Sequence, residues 1–358
     1  MKKKWALGLL SAASIATLAG CASGESADTA GAAGENGGDD TILVYSNSLA
    51  DGRQEWIDEQ AKEADFDVEY VDAGGGDILN RLLAEKNAPQ ADVAFGMDEA
   101  MFFQLKNEGL LVEFEPEWIS EIPGEANIGD GYFHPLVEQR IFMIHNPEHV
   151  SAEEAPNNWQ DLGNNPDIAG QYLVPNELGG GTNQKAILSI LLQYVDENGE
   201  LGIAQEGWDE VEKYLANGYM LAEGEDKWQT FKDGSVPVGY HFSGGIPNVE
   251  EEYGITIEPV NPEQGVVTMR EQIGIINKGE DHDYSKAEEF VEWFGSEDIQ
   301  AGFVEEFGGV PVNEAAFDSA PERLQEIANA TTPMDIDWNF VQENLNAWME
   351  KVELELMP

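Results

Sequence analysis

The chain has 358 residues, 42% of them hydrophobic and 9% aromatic, with 70 acidic against 18 basic side chains and a formal net charge of -52. That length and apolar content suffice for two domains with real cores. The acid excess excludes nucleic acid as a partner, because phosphate binding needs a basic footprint, and the single cysteine excludes disulfides within the chain.

Lys2, Lys3 and Lys4 precede an apolar stretch from Trp5 to Ala19, and the stretch ends Leu18-Ala19-Gly20-Cys21. A basic start, a short apolar run and small residues before a cut site describe a signal peptide, too short to span a membrane as a helix. The ending matches the lipobox of bacterial lipoproteins, which implies cleavage before Cys21 and lipidation of its thiol. The other reading is an ordinary signal peptide with a chance cysteine. Residues 21–40 are small and acidic without an aromatic, and read as a flexible tether. No later stretch reaches the roughly 18 apolar residues that a span needs. So acidic a surface suits high salt or an exposed extracellular life.

From Thr41 the pattern alternates strand and helix. Thr41–Tyr45 reads as a buried strand that ends at Ser46-Asn47-Ser48 and hands over to a helix containing Trp56 and Ile57. Phe66–Val71 is a second strand, followed by Gly74-Gly75-Gly76-Asp77 and a helix opening at Ile78. Ala91–Phe95 is a third, ending near Asp98 and Glu99, with a helix over Met101–Leu111. Leu136–Ile144 is a long strand able to run from one lobe into another.

A second α/β block has strands over Gln171–Val174, Val236–Phe242 and Ile255–Val260. Its glycine-rich loop, Gly179-Gly180-Gly181, precedes a buried helix, Ala186–Val195, capped by Thr182-Asn183. A second long strand, Val266–Ile276, returns. The terminal helix turns Trp338, Val341, Leu345, Trp348 and Val352 inward, with Asp337 as N-cap.

Four strand ends are small and polar: Ser46-Asn47-Ser48, Gly74 to Asp77, Gly179 to Thr182, and Ser243-Gly244-Gly245. Ligands of open α/β sheets bind beyond the carboxyl ends of strands, and glycine lets backbone N–H groups approach a ligand closely. Each alone also fits a plain turn, but together they point to one cleft.

The order of these pieces, with ADVAFGMDEA at 91–100, DGSVPVGY at 233–240, KAEEFVEWFGSEDIQAGF at 286–303 and GGVPVN at 308–313, resembles the extracellular solute-binding proteins of ABC importers. The branch is the one that holds ferric-iron, thiamine, polyamine and phosphorylated-compound binders. The resemblance implies an α/β, two-lobed periplasmic-binding-protein-like fold, each lobe a mixed sheet flanked by helices, with the ligand cleft between them and no catalysis or cofactor. Lobe 1 would comprise 41–140 and 268–358 with the C-terminal helices, and lobe 2 would comprise 141–267. It further implies a monomer, held outside the cytoplasmic membrane by its lipid anchor, that delivers a small solute to a permease and its ATPase.

The expected ligand is a small anionic or phosphorylated organic compound, since guanidinium groups grip carboxylate and phosphate in bidentate fashion. Of the five arginines, Arg53, Arg81, Arg140 and Arg270 fall near the expected cleft, and Arg323 lies in the tail. The expected ligand-binding set is Ser46, Asn47, Ser48, Gly75, Gly76, Asp77, Asp98, Arg140, Gly180, Gly181, Thr182, Tyr240, Ser243, Gly244 and Arg270.

Ferric iron is an alternative, using Tyr240, His241 and Asp98 or Glu99. However, Ser46-Asn47-Ser48 supplies no imidazole, and glycines stand where the iron binders carry a tyrosine pair. Asp281-His282-Asp283 could also hold a metal, but reads better as a solvated loop. A polyamine or thiamine would instead use Asp77, Asp98, Glu99, Glu138 and an aromatic wall such as Tyr240 or Trp228. A secreted lipoprotein hydrolase is the remote alternative, and the sequence holds no GxSxG, HExxH or CxxC to support it.

Overall fold

A computed structural model describes residues 41–50, 52–178 and 181–358. The readings for the signal peptide, Cys21, the tether and Gly180 therefore lie outside the described residues. Eleven strands are formed among them: β1 Thr41–Ser46, β2 Asp67–Asp72, β3 Val93–Phe95, β4 His134–His145, β5 Leu173–Val174, β6 Val195–Glu200, β7 Tyr219–Met220, β8 Val238–Phe242, β9 Glu258–Pro259, β10 Val267–Ile275 and β11 Val310–Pro311.

Eight of these form one sheet, ordered β11-β4-β10-β3-β1-β2, with β8 and β9 also on β4; β5 and β7 pair separately. β1 is parallel to β2 and β3, whereas β10 is antiparallel to β3 and β4. The two long strands are the connection between the halves of the molecule. β4 pairs with β10 through Ile141, then with β8 from Ile141 to His145. The architecture is a two-lobed mixed α/β fold with helices flanking the sheet.

Four apolar clusters fill it. One packs Phe95, Ile273, Phe290, Phe294 and Phe303 under the β1–β3 half, and another packs Ile78, Leu82, Phe102 and Phe133 on that half's other face. The other two hold Trp159, Leu188 and Trp208, and Phe142, Phe231 and Ile257. The C-terminal segment reaches across the expected division. Leu324 and Ile327 join the Phe142 cluster, and Trp338, Val341, Trp348 and Val352 join the Trp208 cluster. Trp348 donates its indole N–H to the Leu201 carbonyl at 2.9 Å. The terminal helix thus packs on both sides: its stripe joins Trp208 and Leu188 of 141–267, and it also lies along the Glu99–Asn107 helix, where Ala100 joins the same cluster and Asn107 Nδ2 donates to Asn339 Oδ1 at 3.2 Å.

Element limits shift elsewhere. The buried helix runs Gly181–Leu191 and a 3₁₀ turn follows, so Thr182 and Asn183 lie in its first turn and do not cap it; Val195 opens β6. The helix expected over Met101–Leu111 spans Glu99–Asn107. Its earlier start follows from Asp98, whose side chain accepts the Met101 N–H as an N-cap.

Gly295 shows how tightly the first cluster is built. It ends the Ser285–Phe294 helix, and a Cβ placed on it would stand 2.2 Å from the Trp118 indole, which is held by an N–H bond to the Val291 carbonyl. Gly295→Ala is expected to cost about 1–3 kcal/mol by overpacking, read as a lower urea midpoint with an unchanged slope.

Candidate ligand cleft

Two strand ends are pressed together at the start of the cleft. β1 stops at Ser46, whose hydroxyl accepts the Ser48 N–H at 3.0 Å. β3 stops beside it, where Gly96 has a φ of 96° and a Cβ would come within 2.8 Å of the Ser48 Cβ and 2.9 Å of the Asn47 Oδ1. Only glycine satisfies both the left-handed backbone and the approach. Asp98 follows and starts its helix. A third end, Gly74, starts the Gly75–Ala84 helix with no side-chain cap; the Asp77 N–H donates to the Gly74 carbonyl, and those of Gly75 and Gly76 are left for another acceptor.

These ends meet the Gly181–Leu191 helix around a cavity of about 480 Å3. Its lining includes Asn47, Gly75, Gly76, Asp98, Gly181 and Lys185, and Gln342 and Asn346 of the terminal helix lie across it. Three helix N-termini therefore approach one cavity, each the positive end of a dipole. Lys185 is 2% exposed and Asp98 6% exposed, and the Lys185 ammonium donates to the Asp98 carboxylate at 2.7 Å. The ammonium also lies 5.5 Å from the centre of the Trp338 ring.

The floor comes from the long strands. Side chains alternate along β10, so Met269 and Glu271 share one face, and Met269 lines the cavity. Glu271 accepts the Ser48 hydroxyl at 2.8 Å, and Arg53 donates to the same oxygen of Ser48 at 3.3 Å. Burial raises the Glu271 carboxyl above its ordinary range, opposed by the Arg53 charge and the Ser48 bond. Gln139 sits opposite Met269 in the ladder. It accepts the Gly244 N–H at 3.0 Å and the Ser243 hydroxyl at 3.2 Å, tying the end of β8 to the same floor.

The expected residues thus divide. Asn47, Gly75, Gly76, Asp98 and Gly181 line the cavity, and Ser46, Ser48, Ser243 and Gly244 brace its walls and floor. Asp77 is exposed and Thr182 half-buried, both outside the lining. Tyr240 is buried in the core and donates its hydroxyl to the Asn183 Oδ1 at 2.7 Å.

Arg140 and Arg270 project to the opposite face of β4 and β10, by the same alternation that turns Gln139, Met269 and Glu271 toward the cleft. Among the described residues no arginine lines the cavity, and its cation is Lys185. Sequence reasoning passed over this lysine, although a lone cation immediately before the apolar run AILSILL of a buried helix was a usable signal. Met269, Glu271 and Gln139 were hidden inside strands.

His241, which an iron site would need, packs against Trp228 and Phe242 at 4.8 and 4.6 Å between ring centres. Burial, with the nearby Lys227 charge, pushes it down to about 3. Among the described residues no group of three His, Cys, Asp or Glu side chains is placed to hold a metal ion.

Glu99 is fully buried beside the cleft, where its carboxylate accepts the Arg270 backbone N–H at 2.9 Å. Desolvation pushes its carboxyl up to about 8, against the lowering effect of the Arg270 charge. The folded protein then holds a proton that the unfolded chain has lost, so this group's contribution to stability falls as pH rises from about 4.5 to 8. Glu99→Gln is expected to flatten that slope, measured as unfolding free energy in urea at pH 5 and pH 8.

A two-lobed fold with a polar cleft between glycine-rich strand ends defines a binding protein of the periplasmic type. The family described as bacterial extracellular solute-binding protein matches residues 55–331, and this chain belongs to it. A Sinorhizobium fredii protein described provisionally as an ABC transporter periplasmic-binding protein is 31% identical over 88% of this chain and 87% of its own. A Salmonella typhimurium protein described provisionally as a 2-aminoethylphosphonate-binding periplasmic protein is 33% identical over 39% of this chain and 42% of its own. The crystal structure of iron-bound HitA from Pseudomonas aeruginosa superposes with a TM-score of 0.69 at 16% identity, covering 88% of this chain and 99% of HitA. The chain is therefore a solute-binding protein of an ABC importer, from an extracytoplasmic family of binders rather than enzymes. Among the described residues no helix is long and apolar enough to cross a membrane.

Proposed function

We propose that this protein captures a small anionic or phosphorylated organic solute and delivers it to its permease. The observation that carries this reading is the buried Lys185 ammonium facing a cavity where the helices starting at Gly75 and Gly181 open. Backbone N–H groups, helix dipoles and one desolvated cation together favour an oxyanion. Asp98 adds a carboxylate to the same cavity, which suits an anion that also bears an amine. The part-length similarity to a protein described as a 2-aminoethylphosphonate binder supports the same class. Lobe 1 then comprises 41–140 and 268 to about 321, and lobe 2 comprises 141–267 and 322–358. The Lys185–Asp98 pair joins the lobes when closed, and the ligand favours closure by binding that form better. Cys21 carries the lipid that holds the monomer at the membrane.

A thermal-shift and calorimetry panel of 2-aminoethylphosphonate, glycerol phosphate, inorganic phosphate, spermidine and ferric citrate tests this. A ligand at 100 times its dissociation constant adds about 2.7 kcal/mol. Binding of a phosphorus compound is expected. Binding of spermidine or iron with none of the phosphorus compounds would overturn the assignment.

A further inference from the structure

Behind β4 and β10, on the face turned away from the cleft, lies a second cavity of about 400 Å3. Its base is Glu138, Arg140 and Arg270, all less than a tenth exposed. Arg140 Nε donates to Glu138 Oε1 at 2.7 Å, and Arg270 Nη2 reaches Glu138 Oε2 at 2.9 Å. One carboxylate therefore serves two guanidinium groups. The next carboxylate, Glu99, stands 3.7 Å from Arg270 Nη1, and Arg270 Nε has no hydrogen-bond partner among the described residues. The wall facing this base is apolar: Val310, Pro311, Val312, Phe317 and Pro333. Glu125 and Glu314 also line it, but they are exposed and solvated, so they set a cost on polyanions and little on a single charge. The signal peptide, the solute cleft and the family relationship account for none of these groups.

We propose that this cavity is a second binding site, for a small organic monocarboxylate with an apolar body. The carboxylate meets the two arginines, whose charge exceeds that of Glu138, and the body lies against the Val310–Val312 wall and Phe317. Arg140 is held in place by the carbonyls of Ala328, in the last turn of the Glu322–Ala330 helix, and of Thr331, which follows it, both at 2.6 Å.

The probe is benzoate, with benzamide as its uncharged isostere, titrated calorimetrically into the purified chain. Benzoate is expected to bind and benzamide to bind at least about tenfold more weakly. Val312→Trp, which fills the cavity, is expected to weaken benzoate binding at least about tenfold while 2-aminoethylphosphonate binding in the cleft stays within about twofold. In crystals soaked with 4-bromobenzoate the anomalous bromine peak should fall between Arg270 and Phe317, a readout that needs no variant. No binding of benzoate at about 10 mM, equal binding of benzamide, unchanged benzoate binding in folded Val312→Trp, or a bromine peak confined to the cleft or the surface would each overturn the proposal. A cleft that fails to take the phosphonate leaves the benzoate result to be read by itself, so the two readings fail separately.

Discussion

Lys185→Met is expected to raise the dissociation constant for the proposed anionic solute by about 100-fold, because a buried charge-assisted contact is worth about 2–5 kcal/mol in a complex. The same change should lower the unfolding free energy by about 3–5 kcal/mol, since it leaves Asp98 in the protein interior without its cation. Two features make the effect large. Lys185 is 2% exposed, and its partner at 2.7 Å is the carboxylate that also caps the Glu99–Asn107 helix. The double variant Asp98→Asn with Lys185→Met separates the two losses. Its stability should recover toward wild type, because neither charge is then stranded, while anion affinity stays low. Calorimetry and urea unfolding measure the two quantities side by side. Unchanged anion affinity in Lys185→Met would remove the lysine from the site.

Glu138→Gln is expected to be the most destabilising near-isosteric change in the molecule. Glu138 is the carboxylate between Arg140 and Arg270, at 2.7 and 2.9 Å. Its loss removes the carboxylate shared by buried guanidinium groups on the two connecting strands, leaving Arg140 only its Ala328 and Thr331 acceptors, and a broken buried pair costs about 3–5 kcal/mol. The thermal midpoint should fall by roughly 10 °C. Glu326→Gln is the control, since that glutamate is exposed and pairs with Arg323 at the surface; exposed pairs contribute about 0–1 kcal/mol. A midpoint for Glu138→Gln as near wild type as the control's would show that the arginines find other acceptors.

Much of the fold was legible because its signals are local. A β-branched run ending in Ser46-Asn47-Ser48, the glycines of 74–76 and the Val-Pro lead into β8 each declare a strand end without reference to the rest of the chain. The two long strands were legible for the same reason: each is too long and apolar for a single small sheet. Helix limits were less so. Thr182 and Asn183 are good capping residues by type, yet the helix starts at Gly181, before them. The destination of the C-terminal helix was not legible at all. Its stripe of Trp338, Val341 and Trp348 says that it is buried, and nothing in its sequence says against which half.

The site divides on the same line. Backbone-driven features were readable, since glycine at a strand end announces a close approach wherever it folds. Side-chain direction was not. Arg140 and Arg270 stand on the right strands and point away from the cleft, because position along a strand sets the face only once the register and the cleft side are known. Met269, which precedes Arg270 in the strand, lines the cavity instead.

By itself, then, the sequence determined an acidic chain of alternating strands and helices with glycine-rich strand ends, because these follow from composition and short-range pattern, and its resemblance to a known family implied the two-lobed binder. Only the tertiary structure decided which cation lines the cavity, that a second charged cavity lies behind the connecting strands, and that the terminal helix packs on both 141–267 and the Glu99–Asn107 helix. Each of those depends on pairing between segments far apart in the chain, and the packing of one face against another carries no local signature.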